Sequence, residues 1–101
     1  MAAKERATRA NETNDDVLID AFVDLPPHVP DAGDARLAAY GYPVWIVIDA
    51  LAASDHDIAR VARDYEVPED AVRAAVAFYH RHREAIDIRA RANAAAVGAS
   101  P

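Results

Sequence analysis

The apolar residues Ile58, Val61, Ala62 and Tyr65 recur at i, i+3, i+4 and i+7, and the run stops at Glu66-Val67-Pro68. That spacing lays one apolar stripe along a helix and does not fit one face of a strand. Ser54 with Asp57 three residues later resembles a capping box, so the helix is predicted from about Asp55 to Tyr65. Pro68 suits the first position of a second helix, with Glu69 and Asp70 in its first turn, where the helix dipole favours acids. This helix is predicted to run to about His82, burying Ala71, Val72, Ala75, Val76 and Tyr79, with Phe78 beside them. The pair has helix-turn-helix spacing: Ala62 fills the small-residue slot, Val67 plugs the turn and Val72 fills the aliphatic slot. Glu66 stands where glycine is favoured, because that turn often needs positive φ. A glutamate there predicts a differently shaped turn or local strain. Any two short packed helices also fit this spacing.

The other elements arrange themselves around this pair. VWIVIDALAA, from Val44, is long enough for a helix with Pro43 at its first position. Its β-branched residues offer a strand as the competing reading, but Ala50, Ala52 and Ala53 favour the helix. A last helix is predicted over Glu84 to Ala96, with Ile86, Ala90, Asn93 and Val97 on one stripe, ending at Gly98. Trp45 and Tyr79 are expected to lie largely buried. Residues 15–25 hold an apolar cluster that suits either a short helix or a strand. DARLAA, residues 34–39, reads as one or two helical turns started by Asp34. Pro26, Pro27 and Pro30 impose an extended, polyproline-like path.

The predicted fold is all-α: a small helical domain with a helix-turn-helix-like core and an extended proline-rich N-terminal segment. Its parts are a disordered arm over residues 1–14, an extended acidic segment over 15–43 and the helical domain over 44–97.

At 101 residues the chain is one domain's worth, which excludes a two-domain enzyme or a large barrel. Much of its 52 % hydrophobic share is alanine, so the core is thin and a stabilising partner is expected. No cysteine is present, which excludes disulfides, thiolate zinc sites and cysteine nucleophiles. No apolar run reaches the roughly 18 residues of a membrane span, and residues 1–14 hold no apolar signal core. A reducing cytoplasm is the expected setting. The net charge of −6 is unevenly spread: +2 over residues 1–9, −11 over 10–70 and +3 over 71–101. An acidic body is a poor match for a phosphate backbone and a better one for a basic protein.

Catalytic and metal chemistry find little support. His28, His56, His80 and His82 lack any metal-ligand spacing, and His80 and His82 point to different helix faces. There is no nucleophile motif and no glycine-rich phosphate loop. Glu84 and Asp87 read as partners for Arg83 and Arg91 rather than as a catalytic pair. No cofactor, metal, small-molecule substrate or membrane is expected. For DNA, only Arg73 of the second helix is placed to donate to a base edge, while Glu69 and Asp70 repel phosphates. Arg81, Arg83, Arg89 and Arg91 form a basic C-terminal region. They suit a solvated face, a weak backbone contact or an acidic protein.

PVWIVIDAL followed by DIARVARDYEVPEDAVRAAVAFYHRHREAID resembles the domain-of-unknown-function family numbered 433, in its actinobacterial form. The matching residues are Pro43, Val44 and Trp45, then Ile58, Ala59 and Tyr65. Val72, Ala74, Ala75, Phe78 and Tyr79 follow, and His82, Ile86 and Asp87 close the pattern. The resemblance covers roughly residues 40–93. The family's usual opening strand is replaced here by DDVLIDAFVDLPPHVPDAGDARL. The resemblance implies an antitoxin that binds and neutralises a PIN-like nuclease toxin, with autorepression of its operon as a second role; a homodimer is expected for such a module. On this reading the acidic segment supplies the toxin contact through Leu18, Asp20, Phe22, Asp24 and Leu25. The alternative occupant of that segment is its own domain or a second subunit. The competing function is a DNA-binding transcriptional regulator without a toxin, using Arg73 and the C-terminal arginines.

Overall fold

The computed structural model describes residues 14–25 and 31–99, with side chains through residue 94. The arm before residue 14, the Pro26–Pro30 segment, His28 and the Val97 side chain lie outside that description. Five α-helices and a two-stranded sheet make up the described fold. Helix α1 covers residues 14–22, and β1 (Val23–Asp24) follows directly. The apolar cluster that suited helix or strand is thus used as both in turn.

After a 3₁₀ turn (Ala32–Asp34), β2 (Arg36–Leu37) pairs antiparallel with β1, setting Val23 opposite Leu37 and Asp24 opposite Arg36. The expected helical turns over DARLAA are therefore corrected. Asp31, not Asp34, opens the short turn, its carboxylate accepting from the Gly33 N–H at 2.9 Å. The chain then extends because pairing with β1 buries Leu37 completely. No local preference in the sequence registers that long-range gain. The hairpin-like return is closed by Gly41 at φ 79°, a left-handed position that suits glycine.

Helix α2 (Val44–Ala53) is the centre of the domain, packing on the 3₁₀ turn and on each helix that follows it. Asp49 is its only polar residue, as expected of a helix surrounded by others. Val44, Val47 and Leu51 form its buried line. Pro43 stands one residue before the helix, at its N-cap.

Helices α3 (Ile58–Tyr65) and α4 (Glu69–Arg81) form the helix-turn-helix pair, and α5 (Arg83–Ala99) completes the fold. Ser54 does not open α3, as the capping-box spacing suggested; it closes α2. The Leu51 carbonyl accepts from the Ser54 N–H at 3.1 Å and the His56 N–H at 2.7 Å, with Asp55 at φ 57° and His56 at φ 61°. That is a Schellman-type ending with aspartate in the glycine position. Asp57 is the true N-cap, accepting from the Arg60 N–H at 3.1 Å. At the other end of α3, Glu66 takes φ 56° and ψ 46°, and the Val67 N–H reaches the Ala62 carbonyl at 2.9 Å. The turn thus has the left-handed shape that glycine would adopt, with the strain carried by glutamate.

The core gathers Leu37, Val44, Val47, Leu51, Val61, Val72, Phe78 and Ile86. On α4, Phe78 is buried while Val76 and Tyr79 lie at the rim, reversing the expected order. The reason is a second packing partner. β1 packs on α4, and the small residues Ala74 and Ala77 are also covered. Trp45 is likewise half-buried rather than enclosed. Helix α5 breaks from α4 at His82 and is anchored by Ile86, which is 1 % exposed. It runs through Gly98 instead of stopping there, and Asn93 is exposed. No helix among the described residues is long and apolar enough to cross a membrane.

Candidate functional site

The chemistry of the solvent face of α4 is set by ion pairs. The Arg73 guanidinium donates through Nη1 to Asp70 Oδ1 and through Nη2 to Glu69 Oε1, each at 3.1 Å. These are i−3 and i−4 partners on one helix face, so the helical spacing itself brings them together. The only base-reading candidate of α4 is therefore held by two carboxylates at the end of the helix that would meet phosphates.

The other arginines named from the sequence do not converge into one basic patch. Arg81 pairs with Asp16 of α1. Arg83 lies 5.5 Å over the Tyr79 ring. Arg89 pairs with Asp34 at 3.4 Å. Arg91 is exposed on the later turns of α5. Arg81 and Arg83 do share one shallow depression, but Asp31 and Glu84 line it too.

The predicted toxin-contact residues also divide. Phe22 packs against the domain's own core, as does Ile19. Asp20 and Asp24 are exposed, and Leu25 retains 42 % exposure. Leu18 is half-buried and forms one wall of a groove that runs across α4.

This groove was not legible as a site in the sequence. One part, of about 250 Å³, is lined by Asp15 and Leu18 of α1, Ile58 of α3, and Arg73, Val76, Ala77 and His80 of α4. The other, of about 110 Å³, is lined by Ile48 and Leu51 of α2, His56, and Val76, Tyr79 and His80. Val76 and His80 line both parts, so the two depressions adjoin along α4 and are described together as one trough. Leu18, Ile48, Ile58, Val76 and Tyr79 are all partly open to solvent. The sequence signal was present only as an overcount: Val76 and Tyr79 looked like core, and the fold left them at the rim.

Tyr79 joins this rim to α5. Its hydroxyl donates to Asp87 Oδ1 at 2.8 Å. That bond, with a lesser contribution from burial, raises the phenol pKa above the ordinary 10.0. His56 and His80 face solvent at the trough, and no three metal-ligating side chains cluster among the described residues.

No protein-family model matches this chain, and neither a curated protein nor a solved structure does. The functional reading therefore rests on the sequence and on the geometry above. A largely apolar trough with Asp15 at its edge can accept an apolar side chain from a protein; it offers little to a phosphate backbone.

Proposed function

We propose that this chain is a non-enzymatic protein-binding module, the antitoxin of a toxin–antitoxin pair, which neutralises a small basic PIN-like nuclease. The observation that carries this reading is the pairing of Arg73 with both Glu69 and Asp70. It turns the leading face of the helix-turn-helix pair away from DNA and toward a cationic protein surface. The acidic bias of residues 10–70 and the resemblance to the domain-of-unknown-function family numbered 433 support the same conclusion. The active form is proposed to be a cytoplasmic homodimer engaging the toxin.

Co-expression with the product of the neighbouring reading frame tests it. Native mass spectrometry should find a stable complex, and the neighbour expressed alone should arrest growth. A neighbour that neither binds nor arrests growth would refute the antitoxin role. The competing role, operator binding by a regulator, predicts an affinity for upstream DNA that falls steeply with salt and is lost in Arg73→Ala.

A further inference from the structure

We propose that the trough across α4 is the docking site for an apolar side chain carried on a basic segment of the partner protein. This deepens the protein-binding reading above and rests on it. Monomeric proteins normally scatter exposed apolar side chains singly; apolar side chains gathered around adjoining depressions mark a binding surface. Here Leu18 and Ile58 line one depression, Ile48 and Tyr79 line the adjoining one, and Val76 lines both, so four separate segments of the fold contribute.

Charge selects the occupant. Asp15 lines the trough, and Asp16 follows it in α1, paired with Arg81. Asp55 and Asp57 flank His56 and immediately precede Ile58. Glu69 and Asp70 hold the Arg73 side chain that lines the same wall. Six carboxylates thus stand on the segments around the trough against four arginines, Arg60, Arg63, Arg73 and Arg81, of which Arg60, Arg73 and Arg81 are in ion pairs. A second copy of this chain, at net charge −6, would oppose like charges, and a nucleic acid would do so more strongly. A Lys- or Arg-bearing segment with a leucine-like anchor suits both the apolar lining and the excess of carboxylates on the flanking segments.

Two helical peptides with the same leucine pattern test this on the full chain, one with lysines and one with glutamates at the polar positions. Methyl NMR of Leu18, Ile48, Ile58 and Val76 reads the site directly. The lysine peptide should shift these signals, with an affinity that weakens as salt is raised, and the glutamate peptide should not. Val76→Lys should abolish the shifts at the remaining methyls. The near-isosteric Val76→Thr should weaken binding about three- to tenfold, circular dichroism confirming the fold of both variants. Asp15→Asn with Asp57→Asn should weaken binding at low salt, since asparagine keeps the α3 cap while removing the charge. Equal response to both peptides, shifts confined to another surface, or no response would overturn the proposal.

The genomic neighbour separates this inference from the antitoxin role. A neighbour that binds wild type and Val76→Lys equally would leave the antitoxin role intact and overturn the trough as its docking site. A trough that answers the lysine peptide while the neighbour binds neither protein supports the site and removes the antitoxin role.

Discussion

A β-carbon placed on Gly33 would stand 2.8 Å from the Ala85 carbonyl oxygen. The 3₁₀ turn and helix α5 approach so closely that only glycine fits between them. The obstacle is backbone, which cannot rotate aside, and the Arg89 β-carbon lies at 3.2 Å on the same side. Gly33→Ala is therefore expected to destabilise the fold by about 1–3 kcal/mol. A thermal melt should show a lower midpoint, and the Arg89–Asp34 pair should open as α5 moves away.

Glu66 holds a left-handed backbone at the end of α3, where its charge also opposes the helix dipole. Glu66→Gly relieves both terms, partly offset by the greater freedom of glycine in the unfolded chain. The expected gain is about 0.5–1 kcal/mol, read as a rise in melting midpoint of about 2–8 °C. A decrease would mean that the glutamate side chain contributes something its exposed position does not reveal.

The caps of the α2–α3 corner give a paired comparison. Asp57→Ala removes the carboxylate that accepts from the Arg60 N–H and should cost about 1 kcal/mol. Ser54→Ala removes only a longer bond of 3.3 Å to the Leu51 carbonyl and should stay within about 0.5 kcal/mol. Denaturant midpoints for the two variants measure the difference.

The Tyr79–Asp87 bond predicts an alkaline loss of stability. The folded chain raises the Tyr79 pKa above 10.0, so this contribution is fully present below pH 10. It is lost as pH rises through the higher folded value, because the ionised phenol can no longer donate. Tyr79→Phe should cost about 0.5–1.5 kcal/mol at neutral pH and diminish the alkaline decline. Denaturation curves on both sides of pH 10, alongside tyrosinate absorbance, test the sign.

Helical period alone located α3 and α4, because apolar spacing at Ile58, Val61, Ala62 and Tyr65 admits only one folded face. Pro43, Pro68 and the Glu66-Val67 junction were equally local signals, and the helices begin or end within a residue or so of where they pointed. The errors fell where two local signals competed. Ser54 and Asp57 both offer cap chemistry, and only the Schellman-type turn at Asp55 and His56 assigns one to each helix. The helical reading of DARLAA failed because Leu37 gains more by pairing with Val23 than by continuing a short helix.

The candidate site was less legible still. Individual side chains such as Leu18, Ile58 and Val76 read as apolar, but a period cannot say whether a second element will cover them. Local chemistry thus accounted for the helix-turn-helix pair, whose stripe depends on neighbours three or four residues apart, and composition for the acidic body, whereas Arg73, read as a base-edge donor, is held instead by Glu69 and Asp70. Only the tertiary structure decided that Phe78 is enclosed while Val76 and Tyr79 remain open. That outcome depends on where α1, β1 and α5 dock around α4, and such docking is fixed by mutual exclusion of volume among distant segments.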